Sequence, residues 1–434
     1  MNQGKTYNIR IDHVTRVEGH GSIRINTRAG EVEEVKLSIV EAHRFFENFV
    51  RGMLPHDVPQ TVSRICGICC VGHQLAATKA VEEAQGITIS EQTLLLRKLL
   101  NQSQFLQSHV LHVFFLAIPD FVGAPSVLPL AKSHPEVVKR ALSLKKLAND
   151  YTAIFGGRTL HPMANTLKGW RKLPDMAEIE GLYHRLKAAI PDYQATIPLI
   201  KSLKIPSYER ETEFVSLKHP HEYALYEGDI YSSDLKGSVP VANYRQVTNE
   251  FTVAHSTTQW SRWHRESYMV GALARVNNNF AQLHPQAQQV AEELGLKIPC
   301  YNPYMNNIAQ VVEIIHCAHD SLLQLETLLN RGMQTEDIAY QPRAGVGYGA
   351  TEVPRGILFH EYTFDSAGRC CGANAVIPTS QNINNIERDM KAFVPQMLPS
   401  MGQDELALHM EMLLRAYDPC ISCSVHMLNV EFVS

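Results

Sequence analysis

Apolar residues recur along this chain at two different periods. Between residues 5 and 40 they alternate. "YNIRI" and "GSIRINT" run up to the turn "RAGE", and "EVKLSIV" follows. Alternation broken by a glycine turn predicts a small antiparallel sheet. After Cys69 the period lengthens to that of a helix. "LAATKAVEEAQG" ends on a glycine stop. "SEQTLLLRKLLNQSQFLQSHVLHVFFLAIPD" opens on a Ser/Glu cap, holds helical spacing throughout and closes at Pro119. Further helical patterns cover 135–154, 175–204, 284–296, 304–332, 381–397 and 403–416. Residues 205–255 are rich in Gly, Tyr and Ser with mixed alternation, and a second β stretch is expected over 354–379.

No internal repeat, low-complexity tract or linker interrupts these segments. The chain therefore reads as one domain over 1–434, mainly α with small β-sheets (α+β). Its parts are an N-terminal β region (1–45), a helical core (60–204), a β-containing insertion (205–255) and a second helical core (256–434).

Composition narrows the function classes. Apolar residues make up 45% of the 434 and charged residues 19%, which is ample material for a buried core. A formal net charge of -4 leaves no electrostatic footprint for nucleic acid or an anionic membrane. The start "MNQGKTYNIRID" has no apolar signal core. The longest apolar run, "VLHVFFLAIPDFVGAPSVLPLA", is broken by Asp120 and by prolines and glycines, so it reads as core and no membrane insertion is expected. The nine cysteines are odd in number and follow no signal peptide, which argues against a secreted disulfide framework. A cytoplasmic setting is expected, where paired cysteines mean metal binding or redox chemistry.

Two Cys-x-x-Cys pairs stand out: "RICGICCVGH" (64–73) and "DPCISCSVH" (418–426). Each can offer two thiolates in one tight turn. Two pairs make a four-thiolate site suited to zinc, an iron–sulfur cluster or nickel. Structural zinc clips small modules, with pairs about 15–20 residues apart. Here the metal would close a loop of about 350 residues, at an entropic cost of about 5 kcal/mol. Metal binding can supply on the order of 10 kcal/mol. A site joining both ends of a large fold belongs in its core, which favours a buried catalytic metal.

At this point the chain resembles the large subunit of nickel–iron hydrogenases over essentially its whole length. The motifs are "RVEGH" (16–20), "RICGICCVGH", "VPRG" (353–356), "VIPT" (376–379) and "DPCISCSVH". "IDHVTRVEG", "RFFE" and "RAYDPCISCSVH" resemble the cytoplasmic NAD(P)-linked and sulfhydrogenase branch most. The resemblance implies the large-subunit fold built on a long-helix bundle, shared with the quinone-site subunit of complex I. It implies a nickel–iron centre with carbon monoxide and two cyanide ligands on iron. Cys66 and Cys420 would be terminal nickel ligands, and Cys69 and Cys423 would bridge to iron. Glu18 would hydrogen-bond Cys420 and take up the proton of heterolytic hydrogen cleavage; its plain alternative is an ion pair with Arg16. Arg355 would stand over the open face of the metals. Pro378 and Thr379 would line the diatomic-ligand pocket, with Asp418 anchoring Arg355 and His73 donating to Cys69. Asp418-Pro419 also reads as a helix stop. His426 would help bind a magnesium-type ion, Mg or Fe, with Glu47 as first-choice carboxylate and Glu41 as second.

The other cysteines, 70, 300, 317, 370 and 371, are read as non-ligating. Cys370 and Cys371 should face opposite ways along a strand. Ser108 stands where several relatives carry an Asp near the arginine. His109 and His112, one turn apart, are either relay groups or core packing. "GVGYGA" (345–350) is too weak a glycine pattern to imply a dinucleotide. With no flavin, NAD or iron–sulfur fingerprint in the chain, electrons would leave through a small subunit carrying iron–sulfur clusters. Diaphorase-type flavin and iron–sulfur subunits would pass them to NAD(P) or ferredoxin. The tail "MLNVEFVS" after His426 fits one removed by a maturation endopeptidase. The rival readings are a hydrogen-sensing subunit, a complex I-like quinone-site subunit, which lacks the four cysteines, and a zinc-stabilised structural protein.

Overall fold

The computed structural model describes residues 5–425 of the chain. His426 and the tail after it lie outside the described residues. The N-terminal meander consists of Asn8–Ile11, Gly21–Arg28 and Glu31–Ile39, paired antiparallel in order. Alternation buries Ile23 and Ile25 and turns Arg24 and Arg28 outward. Ala29 and Gly30 make the tight turn with positive φ of 50° and 85°, the backbone that matches strand twist in a two-residue hairpin. The same sheet takes Ser256–Trp260 in parallel beside Glu31–Ile39, and Phe251–Val253 beyond it. The β region expected over 205–255 thus continues past residue 255 into the N-terminal sheet.

The long apolar run forms the helix Glu91–Leu111, capped by Ser90, whose hydroxyl accepts the Thr93 N–H at 3.0 Å. It does not stop at Pro119. A π-helical stretch, His112–Ala117, leads into a short helix, Ile118–Phe121. Proline has no N–H for the preceding turn and crowds the carbonyl there, and the wider π turn gives the ring room. The pattern over 175–204 resolves into two helices, Met176–Gln194 and Ile197–Ser202, with Pro198 opening the second. Glu91–Leu111, Pro135–Gly156 and Asn306–Arg331 pack as a bundle of long helices. No helix among the described residues is long and apolar enough to cross a membrane.

A three-stranded antiparallel sheet, Gly345–Val353, Gly356–Phe364 and Cys370–Val376, covers the helix Cys70–Gln85. It starts earlier than the β stretch expected over 354–379, because its first strand is "GVGYGATEV". Alternating glycines carry no apolar signal, so the strand is silent to a hydrophobicity reading. Their reason is steric. A Cβ on Gly345, Gly347 or Gly349 would overlap the backbone carbonyls of Ala84, Ala80 and Ala76, and one on Gly72 would overlap Val353. Two strand residues rise about 6.8 Å and four helix residues about 6 Å. Glycine at every second strand position therefore stays in step with Ala76, Ala80 and Ala84, and Gly72 one turn earlier makes room for Val353. This contact joins the helix that begins at the first cysteine pair to the strand that ends two residues before Arg355.

Adding a methyl group at Gly349 forces backbone apart. Gly349→Ala is expected to lower stability by about 1–3 kcal/mol, read as a fall in the midpoint of thermal unfolding. Gly181→Ala, on an open helix face where a Cβ meets nothing within 4 Å, is expected to be neutral or stabilising. Equal midpoints for the two variants would remove the close-contact argument.

Candidate metal centre

The two ends of the chain meet in the interior. Glu18 and Cys420 form a parallel β-bridge, and the Ile421 N–H donates to the Glu18 carbonyl at 2.9 Å. This short pairing brings the second cysteine pair to the first. The 3-10 turn Ser63–Ile65 hands Cys66 to an extended backbone, and Cys69 caps the helix Cys70–Gln85. The turn between them folds its own N–H groups onto sulfur. Ile68 N and Cys69 N donate to Cys66 Sγ at 3.2 and 3.1 Å. Donation of this kind stabilises a thiolate.

The sulfurs of Cys66, Cys420 and Cys423 all lie within 4.8 Å of one another. Cys66 Sγ is 3.5 Å from Cys420 Sγ, and Cys420 Sγ is in direct contact with Cys423 Sγ. Cys69 lies in the same buried cluster, and none of the four is more than 4% exposed. Within the first pair, a hydrogen bond from the Cys69 thiol pulls Cys66 down, and Arg355 adds to this. The same bond and burial push Cys69 well up. The donor set is sulfur alone, soft and dry, and it fits a soft transition-metal centre.

One buried cation faces these sulfurs. Arg355 Nη1 donates to Cys69 Sγ at 3.0 Å. Its Nη2 donates to Asp418 Oδ1 at 2.9 Å and its Nε to the Asp418 carbonyl at 2.6 Å. Asp418 sits at φ +52°, a conformation uncommon for a residue with a side chain. Gln310 Nε2 holds its other oxygen at 3.1 Å. Asp418 also follows the end of the helix Gln403–Ala416, so helix stop and arginine anchor coincide. Thr379, in the first turn of the helix Pro378–Met397, accepts the Cys420 N–H at 2.9 Å. That helix starts at Pro378, earlier than the 381–397 pattern.

Glu18 reaches the second cysteine pair. Cys420 Sγ lies 3.1 Å from its Oε2, which also accepts the Ser422 N–H at 3.1 Å, and the Ser422 hydroxyl donates to its other oxygen. Arg16 does not pair with Glu18. It reaches Asp120 and the Leu116 carbonyl, and Arg415 binds the same Asp120. Asp120 lies inside the apolar run "AIPDF", where nothing in the sequence marked it as the anchor of two arginines.

His73 makes its identified contact with His360, Nδ1 to Nε2 at 3.1 Å, and His360 reaches the Tyr362 hydroxyl at 2.7 Å. Glu47 is buried in the short helix Phe46–Phe49. Glu41 is half-buried and accepts from the backbone and ring nitrogens of His20 at 2.7 and 2.9 Å. His426 lies outside the described residues. His109 bonds Glu313 at 2.7 Å; His112 bonds Gln310 at 2.5 Å and the Arg415 carbonyl at 2.8 Å. Ser108 is buried on the same helix. Cys370 is buried and Cys371 exposed, on opposite faces of their strand. Cys70 accepts the His161 N–H at 3.1 Å, and burial pushes its thiol up to about 11.

Known proteins share this sequence pattern and fold. The family model described as nickel-dependent hydrogenase matches residues 44–139 and 204–426, and one described as HoxL-like matches 8–42. The alpha subunit of sulfhydrogenase 1 from Pyrococcus furiosus is 32% identical over 97% of this chain and 98% of its own length. The beta subunit of the NAD-reducing hydrogenase HoxS from Cupriavidus necator is 27% identical over 96% of this chain and 94% of its own. The crystal structure of an NAD+-reducing NiFe-hydrogenase in the H2-reduced state superposes with a TM-score of 0.89 at 27% identity, covering 97% of this chain and all of that one. With the four sulfurs gathered at its centre and the family pattern running along most of its length, the chain belongs to the nickel-dependent hydrogenases and is the large, catalytic subunit of a nickel–iron hydrogenase.

Proposed function

We propose that this subunit carries out reversible heterolytic cleavage of dihydrogen with Glu18 as its proton acceptor. The observation that carries this reading is the Glu18 carboxylate 3.1 Å from Cys420 Sγ, at the edge of a four-sulfur cluster. Cys66, Cys69, Cys420 and Cys423 would hold nickel, with Cys69 and Cys423 shared with iron. When bound, that pair supplies the binding and polarisation of dihydrogen and accepts its electrons. Glu18 takes the proton from the Cys420 sulfur, because it is the carboxylate in hydrogen-bond contact with that atom. Ser422 orients it through both its N–H and its hydroxyl. Arg355 balances thiolate charge and is held in place by Asp418.

Arg355 and Thr379 are the donors that would hydrogen-bond two cyanide ligands on iron, with Pro378 beside them and carbon monoxide completing the set. His73 would stabilise Cys69 as thiolate. For the magnesium-type ion, Glu47 is favoured with His426. The Arg44 N–H, close before Glu47 in sequence, donates to the Val425 carbonyl at 2.9 Å. Glu41 is already engaged by His20.

Electrons would pass to an iron–sulfur small subunit and then through diaphorase-type flavin and iron–sulfur subunits to NAD(P) or ferredoxin. Support comes from relatives named as the alpha subunit of a sulfhydrogenase and the beta subunit of an NAD-reducing hydrogenase. A maturation endopeptidase would remove the tail after His426.

Three measurements test this reading. Cys420→Ser should leave the purified complex without most of its nickel, as seen by elemental analysis; full nickel would exclude the ligand role. Glu18→Gln should keep both metals yet lower hydrogen–deuterium exchange by about 100-fold or more, the scale of a lost acid–base group. Exchange at the wild-type rate in that variant would refute the proton role. Infrared bands of carbon monoxide and cyanide should appear in the wild-type protein, and their absence would exclude the diatomic ligands.

A further inference from the structure

We propose that Arg275 is a positioning residue, clamped between Glu313 and Glu352, that sets where Arg355 stands over Cys69. The proposal rests on the role given to Arg355 above. Arg275 lies in the helix Ala272–Asn279 and is fully buried, as are both carboxylates. A guanidinium has five N–H donors, and each finds an acceptor here. Nε and Nη2 bind the two oxygens of Glu313 at 2.6 and 2.7 Å. Nη1 binds Glu352 Oε2 at 2.8 Å and the Val353 carbonyl at 2.9 Å. Nη2 also binds the Pro354 carbonyl at 2.9 Å. Val353 and Pro354 are the two residues directly before Arg355.

The other side of Arg355 is held as tightly. Gly356 has a φ of +137°, and a Cβ there would strike Val270. A Cβ on Gly271 would come within 3.2 Å of the Arg355 carbonyl. The backbone around Arg355 is thus gripped from both directions, and its guanidinium is left to Asp418 and Cys69. Buried ion clusters are weak contributors to stability, since well-packed apolar groups often do as well. A fully satisfied one whose cation binds the two carbonyls before Arg355 is better explained by position than by stability.

The cluster also has a pH handle. Glu352 faces Arg275 and accepts the Leu217 N–H at 2.8 Å. Glu313 faces Arg275, His109 and the Tyr223 hydroxyl. Against the cost of burial, Arg275 holds Glu313 far below the usual carboxylate range. Burial pushes His109 down, so it is neutral, and pushes Tyr223 well up, so it stays protonated. Burial, only partly offset by Arg275, pushes Glu352 up to about 7. Near neutral pH, Glu352 is therefore the member of the cluster that changes charge. Its ionisation adds a charge-assisted bond to Arg275, and its protonation loosens the clamp.

The test uses the complete, metal-loaded hydrogenase complex with Arg275→Lys, Glu352→Gln and, in parallel, Arg355→Lys. The readouts are nickel and iron content, the infrared cyanide bands and the pH profile of hydrogen–deuterium exchange. Arg275→Lys should keep its metals, shift the cyanide bands in the same direction as Arg355→Lys and slow exchange by about tenfold or more, as loss of outer support around a metal site does. Glu352→Gln, close to isosteric, should lose the step in exchange near pH 7. Wild-type bands and exchange in a fully loaded Arg275→Lys would overturn the proposal. Should that variant fail to fold, Glu352→Gln decides: an unchanged pH step and unchanged bands overturn it. Unchanged bands and exchange in Arg355→Lys would remove the Arg355 role and the clamp together. Unchanged behaviour confined to the Arg275 and Glu352 variants would remove the clamp alone.

Discussion

Three sulfurs within 4.8 Å of one another, with the Cys69 thiol buried in the same cluster, set the electrostatic problem that the rest of this fold answers. Thiolates in a dry interior are costly unless their charge is balanced and their lone pairs are occupied. The protein's own answer has two parts: N–H groups folded onto Cys66 and one buried guanidinium against Cys69. The remaining imbalance is what a metal pair would neutralise. The ligands come from opposite ends of the chain, so a bound metal would add a cross-link where the Glu18–Cys420 bridge already brings those ends together.

Precision at the centre comes from backbone contact rather than from the cysteines themselves. The glycines of Gly345–Val353 let that strand lie directly on the alanine face of Cys70–Gln85. Helix and strand share the same origin at the centre, Cys69 on one and Arg355 just beyond the other. Any slip between them would move guanidinium relative to sulfur. Arg275, Asp418, Gly271 and Gly356 then fix the last few residues.

The two cysteine pairs meet different chemistry. At the second pair Glu18, oriented by Ser422, offers a carboxylate to the Cys420 sulfur. At the first, Arg355 offers only positive charge and donors. In the function proposed above, a base paired with the arginine would lose its basicity, and Glu18 is bonded to Cys420 and Ser422 instead. Arg16, the nearest cation in sequence to Glu18, is kept away by Asp120.

The local signals were legible from residues alone. Alternation in "GSIRINT" and "EVKLSIV" marked the meander, helical spacing marked the long helices, and the two Cys-x-x-Cys turns marked a four-thiolate site. These depend on neighbours a few residues away, which a sequence displays directly. The strand "GVGYGATEV" was hidden, because it owes its place to a helix some 270 residues earlier and has no apolar pattern of its own. Asp120 and Arg275 were hidden for the same reason: each matters through partners on other elements. The cysteine pairs pointed to the sulfurs, and the resemblance to nickel–iron hydrogenase large subunits pointed to Glu18 and Arg355. That Glu18 faces Cys420 rather than Arg16, and that Arg355 is held by Asp418 and clamped through Arg275, was decided by tertiary packing, which alone brings distant charges within hydrogen-bonding distance.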